Sequence, residues 1–241
     1  MATIDACLPA TMTAIPLAHQ NSSFVNSFEE LVQMPLLGEM NAVCWQRQLA
    51  GNFEELVNKL SLAEDTTEIT ARQLLSLHLT QEGNLARALI LNDLARLEAH
   101  GAAPQLNLIK QYQRDDEYSF FPRDVYSFHV DKSPIPLATF LCTYYGASSE
   151  LVPNAQAQQK IHIPAIRKAL QEIYSGAAGD FENFLSENFF DLHYQAIAGA
   201  EIQSFGQGNM WRIAAAYPNS EVLPCLHRAP LEEDLRLMVI C

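Results

Sequence analysis

Val125-Tyr-Ser-Phe-His-Val-Asp131 is rich in aromatic and β-branched side chains, the composition of a β-strand rather than a helix. Ala138-Thr-Phe-Leu-Cys-Thr-Tyr-Tyr145 follows with the same character and is closed by Gly146. Upstream, Leu106-Asn-Leu-Ile-Lys-Gln-Tyr112 alternates as a strand, and Arg114 to Glu117 reads as a turn. Downstream, Ile202 to Ile213 and Leu223 to Cys241 return to strand character, with Gly206, Gly208, Pro218 and Pro230 marking turns. Residues 105–241 therefore read as a β-core. Within it, 153–200 carries helical spacing, with Pro164 suited to a first helical turn and Asp180 to a cap.

Residues 1–104 read differently. Positions 1 to about 40 are mixed and only partly regular. Phe53, Leu56, Val57 and Leu60 recur at helical spacing, as do Leu85, Leu89, Leu94 and Leu97. The expectation is an α+β chain: an N-terminal helical layer packed on a β-core that carries a helical insertion, all in one structural domain.

On a strand, residues two apart point to the same side, so His129 and Asp131 stand together. They can offer one nitrogen and one oxygen to a divalent metal. A third ligand must come from elsewhere, and His227, in strand-like Val222-Leu-Pro-Cys-Leu-His-Arg-Ala-Pro230, is the best candidate. Two histidines and a carboxylate on one face of a metal leave positions open for other ligands, the pattern of the non-haem Fe(II) facial triad. Arg236 lies in the terminal apolar segment and alternates with Met238 and Ile240, so its guanidinium enters an apolar setting and needs a carboxylate. Its planar fork suits a ligand carboxylate; a structural pairing with Asp234 or Glu232 is the alternative.

The remaining histidines read as ordinary. His19 lies in the irregular N-terminus, His78 and His100 in helical segments, and His162 and His193 in the insertion. Asp191 and His193 would not share a helix face. Cys225 shares a strand face with His227 and reads as a buried structural thiol near the metal, and Arg228 as structural on the opposite face. Trp211, Tyr217 and the Phe181, Phe184, Phe189 and Phe190 cluster read as core, with the insertion as a lid over the barrel mouth.

Charge and cysteine usage limit the partners. Fifteen basic and 28 acidic residues give a net charge of −13, which argues against a nucleic-acid groove or a polybasic membrane patch. No run of apolar residues is long enough to span a bilayer, and the N-terminal Met1 to Cys7 does not read as a signal peptide. Five scattered cysteines without CxxC spacing suit a reducing cytoplasm. A small-molecule substrate, neutral or cationic, is the class left open.

The order His129-x-Asp131, His227, Arg236 resembles the 2-oxoglutarate- and Fe(II)-dependent dioxygenases, whose core is a double-stranded β-helix (jelly roll). Phe128-His-Val-Asp131, Cys142-Thr-Tyr-Tyr-Gly146 and His227-Arg-Ala-Pro230 are more closely similar to an uncharacterised bacterial family with Phe-His-x-Asp, Thr-Tyr-x-Gly and His-Arg-Ser-Pro blocks. Asn92-Asp93-Leu94 also fits that family's pattern. One departure is Gly146-Ala-Ser-Ser-Glu150-Leu, where the family continues Gly-x-Gly-Thr-Glu-Trp. The resemblance implies that His129, Asp131 and His227 bind Fe(II). It also implies that 2-oxoglutarate chelates the iron with its far carboxylate on Arg236, and that O₂ takes the remaining position. Lys110 and Tyr112, read on one strand face with Leu106 and Leu108, would assist the cosubstrate or else snorkel at a strand end. A Zn or Fe cupin-like protein without 2-oxoglutarate, and a non-catalytic jelly-roll binding protein, are the other readings.

Overall fold

The computed structural model describes residues 21–115, 117–190, 193–231 and 234–241. Cys7, His19, Asp191 and Glu232, named in the sequence analysis, lie outside the described residues. The elements in chain order begin with β1 (Ser22–Val25), α1 (Phe28–Gln33), β2 (Ala42–Trp45), α2 (Phe53–Lys59) and β3 (Thr66–Glu68). Next come α3 (Ala71–Ser76), α4 (Gln81–Ala99), β4 (Gln105–Ile109), β5 (Ala138–Tyr145) and β6 (Glu150–Val152). Then follow β7 (Ala157–Gln159), α5 (Pro164–Ile173), α6 (Phe181–Phe189) and β8 (Tyr194–Ala196). The chain closes with β9 (Gln203–Ser204), β10 (Met210–Ala214), β11 (Leu226–Arg228) and β12 (Arg236–Ile240).

A large sheet runs β1-β2-β10-β5-β12-β4-β3, antiparallel except for the β1–β2 pair. A smaller antiparallel sheet runs β11-β6-β9, and β7 pairs with β8. The chain is thus α+β. The period-2 rule explains the layering. Leu106, Leu108, Phe140, Cys142, Tyr144, Leu237 and Val239 point from the large sheet into the helical layer, against Phe53, Leu56, Ile90 and Leu97. The intervening Ile109, Leu141 and Met238 point the other way and pack with Leu151, Phe205 and Cys225, from or beside the smaller sheet. Two cores result, one on each face of the large sheet.

Side-chain caps start α1 to α4. Asn52 accepts from the Glu55 N–H, and Thr70 and Gln73 form a capping box. Asp180 stands at the N-cap of α6 without a side-chain cap bond.

Three expectations are corrected. Residues 1–104 are more than a helical layer: β1 and β2 form one end of the large sheet and β3 the other. Each of these strands has only three or four residues, too short for a period-2 pattern to stand out beside the long helical spacing. The segment Val125 to Asp131 contributes isolated bridges, not a continuous strand. The insertion does not take the place of the expected lid. It buries Phe121, Ile161, Leu170, Phe181, Leu185 and Phe189 together, and Tyr194 and Ala196 pack on Phe128 and Val130, the side of the 125–131 segment opposite His129.

Candidate metal centre

His129 and His227 are directly opposed across an antiparallel bridge. Each backbone N–H donates to the other's carbonyl, at 2.9 and 3.0 Å. Their side chains therefore project from the same side, with ring centroids 4.4 Å apart. Asp131, two residues beyond His129, joins that side, while Phe128 and Val130 take the other. One donor atom from each of His129, Asp131 and His227 lies within 4.8 Å of the others. Metal bonds of about 2.0–2.2 Å would gather donors so placed through side-chain movements of about an ångström.

The ring nitrogens are already sorted. His129 Nδ1 is 2.9 Å from the Ser127 carbonyl, and His227 Nδ1 is 3.3 Å from the Cys225 carbonyl. A carbonyl only accepts, so each Nδ1 carries the proton and each Nε2 presents a lone pair. Burial, with the neighbouring His227 charge second, pushes His129 down to about 4. The imidazole is then neutral at pH 7, the form a metal requires. Asp131 Oδ2 accepts from Thr139 Oγ1 at 2.5 Å, and Oδ1 is 3.7 Å from His227 Nε2. Thr139 fixes the carboxylate with one oxygen turned to the histidines. It sits in a segment whose strand character was legible, but its partnership across eight residues was not.

The three residues open on a cavity of about 340 Å³. Ile109, Leu141, Met238 and Ile240 supply its apolar wall, and Thr66, Gln105 and Asn107 an uncharged polar one. Arg236 is buried, at 3% exposure. Its Nη2 is 3.3 Å from Ser149 Oγ and 3.5 Å from Met238 Sδ, both cavity residues. Its Nε has no hydrogen-bond partner, and among the described residues no carboxylate pairs with it. Asp234, the expected structural partner, is exposed. Burial pushes Arg236 below the usual guanidinium range, opposed by Tyr112 beside it; burial likewise raises Tyr112. A buried cation with an orphaned N–H fits a carboxylate guest, which would satisfy both charge and hydrogen bond.

Gly146 makes that placement possible. Its φ is +83°, and a Cβ there would meet the Leu235 carbonyl at 2.3 Å and Arg236 Cγ at 3.0 Å. The chain of Arg236 passes directly over it, at the point where β12 shifts register against β5.

The other sequence candidates separate. Tyr112 lines the cavity, but by a different route from the one expected. Leu106 and Leu108 face the helical layer, while Tyr112 lies beyond the end of β4 and joins the Gln105, Asn107 and Ile109 side. Lys110 is exposed and takes no part in the cavity wall: β4 turns its odd positions, Gln105, Asn107 and Ile109, to the cavity, whereas the Leu106 and Leu108 side on which Lys110 was expected faces the helical layer. Cys225 is buried in the inner core, where burial and then Asp131 raise its thiol pKa. Arg228 pairs with Glu150 at 2.7 Å and covers the Phe128 ring, a structural role. Trp211, Phe181 and Phe189 are core residues, and Phe184 packs beside them, whereas Phe190 is partly exposed. His100 closes α4 and packs edge-on to Phe28 and Phe140. His193 is buried against Phe121 and Phe189. Among the described residues, no helix is long and apolar enough to cross a membrane.

Comparisons with protein-family models, with curated proteins and with solved structures found no match.

Proposed function

We propose that the chain is a non-haem Fe(II), 2-oxoglutarate-dependent oxygenase of a small molecule, built on a double-stranded β-helix and working in the cytoplasm. The observation that carries this reading is the pairing of two features at one cavity: the His129, Asp131 and His227 donors that line it, and Arg236, buried behind its Ser149 and Met238 with no carboxylate partner among the described residues. Either alone has ordinary explanations. Together they match the two ends of a short dicarboxylate held by a metal and a guanidinium. Arg236 favours this over a cupin-like metal site, which needs no buried cation.

The β-helix reading rests on strand order. From β5 onward the two sheets receive strands in alternation: β5 in the large sheet, β6 and β9 in the small, β10 in the large, β11 in the small and β12 in the large. The His129–His227 bridge adds the 125–131 segment beside β11. The cytoplasmic assignment rests on the four cysteines among the described residues, all free and three of them buried.

Bound Fe(II) would supply O₂ activation coupled to 2-oxoglutarate decarboxylation. The chain's own residues do the positioning. Ser127 and Cys225 orient the imidazoles through their carbonyls, and Thr139 orients the Asp131 carboxylate. Arg236, with Ser149 and Tyr112 around it, would hold the far carboxylate. Ile109, Leu141 and Met238 keep the reacting end dry. The uncharged mouth of Thr66, Gln105 and Asn107 suits a small polar substrate without net negative charge, as does the overall −13.

The test is uncoupled turnover. Purified protein given Fe(II), O₂ and 2-oxoglutarate is expected to form succinate slowly, and Arg236→Met to form at least tenfold less. No succinate above a metal-only control would exclude the reading.

A further inference from the structure

Behind the metal-bearing segment lies a second depression, of about 770 Å³, which the metal reading does not use. It is distinct from the metal cavity because side chains alternate along the 125–131 and 227–229 segments. Val125, His129, His227 and Ala229 face the cavity, whereas Tyr126, Phe128 and Arg228 line this groove. Lys160 and the β8 residues Tyr194, Gln195 and Ala196 form its other wall.

The charge in the groove is arranged in an instructive way. Its two lining carboxylates are already saturated. Asp115 accepts from the Arg123 side chain at 2.8 Å and from the Arg123 and Glu117 N–H groups. Asp124 accepts from the Asp115 and Tyr126 N–H groups. Arg228 is paired with Glu150, and Arg114 lies over the Tyr126 ring at 3.5 Å. Lys160 makes no such ion pair among the described residues: Asp124 acts on its charge without pairing with it, and the Phe121 ring lies 5.5 Å away. Its half-buried ammonium donates to a neutral acceptor, Ser127 Oγ, at 2.7 Å. Among the described residues no carboxylate comes within ion-pair distance of it. Burial lowers its pKa, partly offset by Asp124. In a chain of net charge −13, three cations gather in this groove with two carboxylates, and Lys160 is the cation among them that has no ion pair among the described residues and is left with a neutral acceptor.

We infer that this groove binds a small oxyanion, a phosphate or carboxylate group, with Lys160 as the principal contact and Arg114 as the second. The anion would supply the acceptors that the Lys160 ammonium lacks, and the Tyr126, Phe128 and Tyr194 side chains would flank the body of the molecule that carries it. Occupancy would also reach the metal centre. Ser127 accepts from Lys160 through Oγ while its carbonyl takes the Nδ1 hydrogen of His129, so drawing Lys160 toward an anion changes the group that orients a metal ligand.

The experiment uses the full chain stripped of metal with a chelator, titrated separately with inorganic phosphate and with acetate. Wild type and His129→Ala are expected to bind at least one of the two saturably and alike. Lys160→Met is expected to bind at least tenfold more weakly, with Lys160→Arg restoring most of the affinity. Arg114→Gln, an exposed substitution, is expected to weaken binding severalfold and serves as the deciding variant if Lys160→Met does not fold. Which probe binds tells phosphate from carboxylate recognition. Absence of saturable binding of either, or equal binding by Lys160→Met and Arg114→Gln, overturns the inference. So does loss of binding in His129→Ala, since the anion would then sit in the metal cavity. No arm depends on metal, so failure here is separable from failure of the oxygenase reading.

Discussion

His129 and His227 exchange both of their backbone hydrogen bonds, so two residues far apart in sequence are fixed as a directly opposed pair. Their side chains share one side because the backbone leaves them no other, and Asp131 follows by the period of extended chain. The donor cluster is therefore set by backbone geometry. Neighbours outside the three residues orient its atoms, and the first predictions concern these.

Thr139→Val keeps the shape of the side chain and removes the hydroxyl that holds Asp131 Oδ2. Substitution of such outer partners costs about 10–100-fold in metal affinity. Competition with a coloured chelator for Co(II) should show a loss in that range with unchanged thermal stability. Wild-type affinity in the variant would remove Thr139 from the account.

Gly146→Ala places a methyl group against the Leu235 carbonyl and the Arg236 side chain, at a φ that disfavours any L-residue. A loss of about 2–4 kcal/mol in urea unfolding is expected, with a further loss of 2-oxoglutarate affinity as Arg236 is displaced. An unchanged unfolding midpoint would show that β12 can shift at no cost.

Asp93 is buried in α4 and accepts from Arg47 at 2.8 and 2.5 Å and from the Tyr144 hydroxyl at 2.9 Å. It ties the helical layer to β5. Asp93→Ala strands the half-buried Arg47 charge, which by comparison with other broken buried pairs costs about 3–5 kcal/mol. Double substitution of Arg47 and Asp93 by apolar residues should recover much of that loss in the same unfolding measurement. Additive losses would contradict the pairing.

The metal-free protein should lose stability as pH falls from about 6.5 toward 4. Burial, with the His227 charge second, lowers the native pKa of His129 to about 4 from the ordinary 6.5. Between those values the unfolded chain binds a proton that the folded chain does not, so this group's contribution is full above the upper value and gone below the lower one. The slope from this residue approaches about 1.4 kcal/mol per pH unit. Urea midpoints of wild type and His129→Gln, measured with chelator present, should diverge above pH 6 and converge near pH 4. Parallel curves would show that His129 titrates normally.

Much of this was legible in sequence. Ala138–Tyr145 and the helix from Pro164 were readable because apolar spacing and punctuation agree there. The convergence of His129 and Asp131 was readable because His-x-Asp needs only the period of extended chain; their meeting with His227 is seen in the donor cluster. Lys110 is misplaced in a reading that puts it with Leu106 and Leu108, because that side of β4 faces the helical layer and the side of Gln105, Asn107 and Ile109 faces the cavity. The β3 strand at Thr66–Glu68 is polar and edge-placed, and sequence patterning rests on burial, so nothing marked it. Thr139, Ser127 and Ser149 were invisible for another reason: each acts through a tertiary contact, and small polar residues carry no spacing that announces one.

The most direct measurement adds Fe(II) and then 2-oxoglutarate to the metal-stripped protein under anaerobic conditions and follows visible absorption. A metal-to-ligand charge-transfer band is expected to saturate at one Fe(II) per chain. It should be absent in His129→Ala, and in Arg236→Met should require at least tenfold more 2-oxoglutarate while Fe(II) stoichiometry is retained. No band in wild type, or the same Fe(II) stoichiometry in His129→Ala as in wild type, would contradict the assignment of His129, Asp131 and His227 as the iron site.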